Sequence, residues 1–179
     1  MDKTLKGCLF SAIAIILIAF GITFFIIKNV NNTFLSDRSK VDTSWNHYIA
    51  FLHERNENLY NNENLKSIVH LVNNTEKLIK LKNKKKELLS NEYVLNDSLI
   101  RIKYMPEINQ KLNNYLLLYN TNVREFNIKY STFPYNYIRK KHKVELYDYF
   151  KIDYGSDNKS LIREQKKVND WIENGGELK

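Results

Sequence analysis

The run from Gly7 to Ile27 contains only Gly, Ala, Ile, Leu, Phe, Ser, Thr and one Cys, with no ionisable group apart from the Cys8 thiol. A helix rises about 1.5 Å per residue and a hydrocarbon core is about 30 Å thick, so a run of about twenty such residues spans a bilayer once. A cleaved signal peptide needs a shorter apolar region followed by a small-x-small cleavage site. Here the apolar stretch is long, and Ile26-Ile27-Lys28-Asn29-Val30-Asn31-Asn32 offers no such pair. The run reads as an uncleaved anchor. Leu5-Lys6-Gly7-Cys8 superficially resembles a lipidation box, but Lys6 fits it poorly and no apolar region precedes it. Flanking charge leaves the orientation open, with Lys3 and Lys6 on the short side and Lys28, Arg38 and Lys40 on the long one.

Beyond the anchor lie about 150 residues, enough for one domain with its own core. Lys and Arg outnumber Asp and Glu by 28 to 20, which by itself points to an acidic partner. The chain is also rich in Lys, Asn, Ile and Tyr and poor in Ala, Gly and Pro, the bias of an AT-rich genome, so the net charge is discounted as evidence of a ligand, nucleic acid or anionic lipid alike. Cys8 lies in the anchor and is the one cysteine, so the remaining domain has neither disulfides nor cysteine metal sites.

After the anchor, Phe34, Arg38, Val41, Trp45, Tyr48, Leu52, Arg55 and Leu59 follow one another in steps of four and three, one face of a helix over 33–60 that continues the anchor. It is expected to break in the Asn-rich stretch 56–64, where side chains compete with the backbone for hydrogen bonds. A second helix is expected over 63–89, with Leu65, Ile68, Val69, Val72, Leu78, Ile79 and Leu81 as its stripe and lysines at its C-terminal end. Residues 90–105 read as a loop. Pro106 then opens the strongest helix of the domain, carried by Ile108, Leu112, Tyr115, Tyr119, Val123, Phe126, Tyr130 and Phe133 and stopped by Pro134. The aromatic segment 144–154 lacks helical spacing and reads as an extended strap. A last helix over 158–174 carries Leu161, Ile162, Val168, Trp171 and Ile172, with Gly175-Gly176 as its stop. The expected fold is all-α: a tail over 1–6, a transmembrane helix over 7–28, an antiparallel bundle of long helices over 29–154, and a charged helix or tail over 155–179.

Catalytic and metal-binding patterns do not emerge. His47, His53, His70 and His142 form no i, i+4 pair, and His142 with Glu145 reads as a surface pair. No nucleophile elbow occurs, and Gly155, Gly175 and Gly176 form neither a phosphate loop nor a dinucleotide fingerprint. Trp45, Tyr48, Tyr115, Tyr119, Phe126 and Tyr130 sit on helical stripes and are expected to be core rather than a base-stacking platform.

The stretch Tyr119-Asn120-Thr121-Asn122-Val123-Arg124-Glu125-Phe126-Asn127, followed by Phe133-Pro134 and Ile138, resembles the signature of the LemA family. Upstream, Val41, Trp45 and Arg55 resemble that family's first bundle helix, and Tyr149-Phe150 its aromatic pair after the bundle. The family's usual Asp-Leu-Ile-Pro-Asn-Leu break appears only as Asn58-Leu59-Tyr60-Asn61-Asn62, and the tail beyond Tyr154 has no counterpart. The resemblance implies a short N-terminal segment, one membrane helix and a helical bundle, and it brings no established enzymatic activity with it. It makes Tyr119, Asn120, Val123, Arg124, Phe126, Asn127, Phe133 and Pro134 the defining positions. Val123, Phe126 and Phe133 would fill core, while Asn120, Asn127 and Arg124 would fix helix register or helix ends.

The expected function is that of a non-enzymatic interaction or scaffold module on a single-pass bacterial membrane protein. Its partners would be the membrane and an unidentified protein or a second copy of itself, with no cofactor, metal, nucleic acid or small-molecule ligand. The alternative is a domain binding anionic lipid or an envelope polymer through Lys82, Lys84, Lys85, Lys86, Arg139, Lys140, Lys141 and Lys143.

Overall fold

The computed structural model describes residues 3–81, 84–104 and 106–174, and among them every regular element is helical. They are α1 (Lys3–Tyr60), a 3₁₀ turn (Glu63–Ile68), α2 (Val69–Lys80), α3 (Lys85–Arg101), α4 (Ile108–Ser131), α5 (Tyr135–Lys141) and α6 (Lys159–Asn174). At 58 residues, α1 joins the apolar run to the amphipathic face without interruption. It is, among the described residues, the one helix long and apolar enough to cross a membrane. Its large apolar side chains between Ile13 and Ile27 are open, from 41% exposed at Ile27 to 74% at Phe20, so they do not pack into a core of this chain.

α1 ends at Tyr60, inside the Asn-rich stretch 56–64. The Asn62 side chain accepts from the Asn64 backbone N–H at 3.1 Å, the competition with the helix that such residues offer. The single helix expected over 63–89 is instead a 3₁₀ turn, α2 and the start of α3. α2 stops at Lys80 and Leu81 leaves helical geometry (φ −96, ψ 87), within a lysine run whose like charges oppose a continuous helix. Lys82 and Asn83 lie outside the described residues.

The loop expected over 90–105 is also corrected, since α3 runs through to Arg101. Leu88, Leu95 and Leu99 form a stripe at i, i+7 and i+11, interleaved with buried Asn91, Glu92 and Asn96. Those polar residues look like turn chemistry in the sequence, yet their side chains bond to other elements rather than to their own backbone. Met105 lies outside the described residues. A short helix, α5, follows Pro134 where none was expected, and buries Ile138. The segment 144–153 has no regular secondary structure, as expected of a strap. In α6, Leu161 is half-buried while Ile162 and Val168 are each 43% exposed. The side chains of Trp171 and Ile172 lie outside what is described, as do Gly175 and Gly176.

The chain forms two compact units: Met1–Lys40 with Glu125–Tyr147, and Val41–Arg124 with Asp148–Lys179. The core of the first is aromatic. Phe34 is fully buried against Phe126, the edge of Tyr130 (5.2 Å between centroids) and the stacked His142 ring (4.9 Å). The second draws Tyr48, Leu52 and Leu59 from α1, Leu112, Leu116 and Tyr119 from α4, and Phe150, Ile152 and Tyr154 from the strap. Around its 3₁₀ turn, Leu59, Leu65, Ile68, Val72, Leu95 and Leu99 pack as one apolar cluster.

Candidate functional site

In the second unit the strap is held by amide side chains rather than by a neighbouring strand. Asn120 on α4 accepts the Phe150 N–H (2.9 Å) and donates to the Phe150 C=O (2.8 Å). Asn113, seven residues earlier and so on the same face of the helix, makes the same pair of bonds with Tyr154, at 2.9 and 3.1 Å. From α3, Asn96 accepts the Gly155 N–H (2.9 Å) and donates to the Ser156 C=O (2.9 Å). Gly155 has φ 87, a left-handed turn that glycine adopts without the clash a Cβ brings. Asn158 closes this turn by accepting from the Asp153 N–H at 2.8 Å. Every one of these bonds satisfies backbone that no sheet or helix satisfies, which a chain pressed against a core requires. Burial along the strap then alternates: Phe150, Ile152 and Tyr154 are buried, while Tyr149, Lys151 and Asp153 are exposed. A period of two is that of extended chain.

Beneath Tyr154 lies a buried polar network. Arg55 and Glu92, both with side chains 0% exposed, form a two-pronged pair at 2.6 and 3.0 Å. Glu92 also accepts from Thr75 (2.7 Å) and from the Tyr154 hydroxyl (2.9 Å), which shares a 2.6 Å hydrogen bond with the Tyr48 hydroxyl. Two donors on each carboxylate oxygen fill its acceptor sites, so Glu92 has no lone pair left to take a proton from a substrate. Burial favours the neutral form of Arg55, but the Glu92 carboxylate more than offsets it and holds the guanidinium charged. Burial, reinforced by the Glu92 charge, raises the pKa of both Tyr48 and Tyr154. Asn56 accepts from two further Arg55 donors (2.7 and 3.2 Å) and passes the network to Glu76 (2.6 Å), which His53 meets at 2.7 Å. No buried side-chain polar atom among the described residues lacks a partner, so the network is satisfied from within the chain. No group of three or more potential metal ligands occurs among the described residues.

The signature residues divide between the units. Tyr119 is fully buried, donates from its hydroxyl to the Asp148 C=O (2.9 Å), and accepts from Lys85 Nζ (3.0 Å). Val123 is buried and Arg124 exposed. In the first unit, Phe126 is buried and Asn127 makes with Tyr147 the two-point pairing seen at Asn113 and Asn120, at 2.9 and 2.8 Å. Asn120 and Asn127 therefore hold strap backbone instead of setting a helix end. Pro134 stands at the N-terminus of α5. Phe133, expected in the core, is 84% exposed, because α4 ends at Ser131 and the helical phase that would have turned it inward ends with it.

The basic clusters are not uniform surface charge. Lys84 pairs with Glu87 at 2.6 Å, and Lys86 is exposed. Lys85 is half-buried with its ammonium 4.2 Å from the Trp45 ring centre and 5.1 Å from that of Tyr119. Burial pushes the Lys85 pKa down, against the pull of Asp148 and Asp42. In the first unit, Arg139 donates to the Tyr130 C=O (3.1 Å) and the Val144 C=O (2.9 Å), which ties α5 down, while Lys140, Lys141 and Lys143 are exposed. Lys82 lies outside the described residues. Asp37, which the sequence reading passed over, is met there by Lys129 (2.8 Å) and the Tyr130 hydroxyl (3.0 Å).

Asn113 and Glu92 were also missed. The signal for the first was the heptad spacing of Asn113, Asn120 and Asn127; for the second there was none in the sequence, because Arg38 stands on the same stripe as Arg55 and is exposed. No family model, curated protein or solved structure matches this chain.

Proposed function

We propose that the chain is a single-pass, membrane-anchored protein of the LemA type whose helices form an antiparallel bundle and serve as a non-enzymatic interaction or scaffold module at the membrane. The observation that carries this reading is α1. Its apolar stretch stays open to the surroundings and runs without a break into the face that builds folded structure, so anchor and module are one element. Open apolar side chains over such a length are costly in water and favourable in lipid. The saturated Arg55–Glu92 network supports a structural role for the most buried charges, and long helices offer faces to a partner helix. Tethering confines encounters to the membrane surface and raises the effective concentration of any partner held there.

The test is crosslinking in intact cells through one exposed position, Ser90→Cys on α3 with Cys8→Ser. A discrete, reproducible adduct supports the module; the absence of any adduct above a scrambled-position control contradicts it. Labelling the same variant with a membrane-impermeant maleimide also reports which side the domain faces. The alternative, binding to anionic lipid or an envelope polymer, is favoured by exposed Lys140, Lys141 and Lys143. It predicts that sedimentation with anionic vesicles falls steeply between low and high salt. Lys85 and Arg139, held internally, contribute little to such a patch.

A further inference from the structure

The packing of the first unit starts where the apolar run stops. Val30, three residues beyond Ile27, is already down to 8% exposure and Phe34 is fully buried, so no linker separates the packed part of this unit from the run. Traced outward from Asn31, α1 is met by His142 (2.6 Å to the Asn31 side chain, its ring stacked at 4.9 Å on Phe34), by Tyr130 (5.2 Å from Phe34) and by Lys129 at Asp37 (2.8 Å). Of these, the segment around His142, at the C-terminal end of α5, meets α1 nearest the apolar run. Its place is fixed by Arg139, which holds the Tyr130 and Val144 carbonyls, and by buried Ile138. If α1 crosses a bilayer upright, Asn31 stands about 6 Å beyond Ile27, and a headgroup layer is about 5–7 Å deep on each side of the hydrocarbon. On the anchored reading His142 then lies at headgroup depth, and its neighbours in the chain lie with it.

Those neighbours have the composition of a membrane interface. Between Ser131 and Val144 the chain carries Arg139, Lys140, Lys141 and Lys143 and no Asp or Glu. Arg139 is turned inward, whereas the three lysines are exposed, as is Lys28 on α1. Two aromatic side chains that the core does not use stand open beside them, Phe133 at 84% and Tyr137 at 60%. Tyr137, Lys140 and Lys141 are spaced i, i+3 and i+4, so they share one face of α5. At an interface the rings leave water while the ammonium groups meet phosphate. We infer that Phe133, Tyr137, Lys140, Lys141 and Lys143 form a docking face for anionic phospholipid headgroups of the same membrane that α1 crosses, so that the first unit rests on the bilayer instead of standing clear of it. Position selects the occupant. Headgroups are already held within a few ångströms of this face by the anchor, and the open Phe133 ring gains from an acyl boundary what no polyanion in water offers. The inference rests on the anchored reading of α1 and narrows the lipid alternative to one end of the first unit.

A fluorophore at the edge of this face tests it in the full-length protein. With Cys8→Ser, the exposed position Thr132→Cys beside Phe133 is labelled, and the chain is reconstituted into vesicles of phosphatidylcholine alone or mixed with phosphatidylglycerol, each containing a lipid with a nitroxide on its headgroup. The expected result is severalfold stronger quenching in the mixed vesicles. Lys140→Gln with Lys141→Gln and Lys143→Gln should remove that gain, and Phe133→Ala should weaken quenching in both lipids. All four side chains are exposed, so the fold should absorb the changes, and circular dichroism checks that it does. Quenching that is equal in the two lipids with and without the lysines overturns the docking face. If polyphosphate added to the neutral vesicles alters the fluorophore as much as phosphatidylglycerol does, the face is a general polyanion site and the lipid assignment falls. An alkaline wash of the same vesicles separates the two readings. A chain that stays with the vesicles while its label goes unquenched overturns the docking face and leaves the anchor intact; a chain that washes off overturns the anchor, and the docking face with it.

Discussion

At the scale of single residues, the strap depends on amides that occupy both a donor and an acceptor of one backbone unit. Asn120→Ala strands both groups of Phe150 against a core, at a cost of about 1–3 kcal/mol. Urea unfolding should show this loss, with faster amide exchange at Phe150 than elsewhere in the second unit; unchanged exchange there would contradict it. Arg55→Met leaves the Glu92 carboxylate buried without its countercharge and should cost about 3–5 kcal/mol, whereas Arg55→Met with Glu92→Leu should cost far less than the two single changes added. In the first unit, burial alone would raise the Asp37 pKa, but hydrogen bonds from Lys129, Lys40 and Tyr130 outweigh it and hold the carboxyl below 3.8. A depressed folded-state pKa means that the unfolded chain binds the proton more readily. The Asp37 contribution is therefore complete above the unfolded value and is lost as pH falls through the folded one. Carboxyl NMR should find a midpoint below 3.8 for Asp37, and Asp37→Asn should remove its share of the acid-side loss. Arg55 interrupts an apolar stripe, but so does Arg38, which is exposed, so the sequence alone did not tell the buried arginine from the open one. Asp37 was not legible either, since its partners Lys129 and Tyr130 lie more than ninety positions away.

At the scale of elements, helices with an uninterrupted apolar rhythm were legible. α1 and α4 follow their four-three spacing, and α4 begins two residues after Pro106. α3 was not legible, because Asn91, Glu92 and Asn96 occupy its inward face, and residues that face buried polar partners imitate a loop. The strap was legible as extended chain but its support was not, since heptad-spaced asparagines carry meaning only once it is known what they face. Two phenylalanines on expected helical stripes fare differently, because α1 continues through Phe34 while α4 ends at Ser131, before Phe133. Phe34 is 0% exposed and Phe34→Ala should cost about 3–5 kcal/mol, while Phe133, 84% exposed, should tolerate the same change within about 0.5 kcal/mol. Urea midpoints for the two variants check this directly, and equal losses would place Phe133 in a core after all.

At the scale of the whole molecule, the division into two units had no trace in composition. Its boundaries at Lys40/Val41 and Arg124/Glu125 fall inside α1 and α4, where no Gly, Pro or change of pattern marks them. Of the candidate site only Asn120 was singled out in the sequence, and as a helix-register residue; that it holds the strap needed the return of the strap to α4 to be seen. The long apolar helix, by contrast, is written in consecutive residues, because length and the absence of charge are local properties of the chain. The account stands or falls on that helix remaining in lipid as part of the mature chain. The most direct measurement is an alkaline wash of membranes carrying the full-length protein, followed by an intact mass. The predicted result is a chain that stays in the pellet until detergent is added, with a mass that includes Gly7–Ile27. Release into the wash, or a mass lacking that run, would contradict the anchored module.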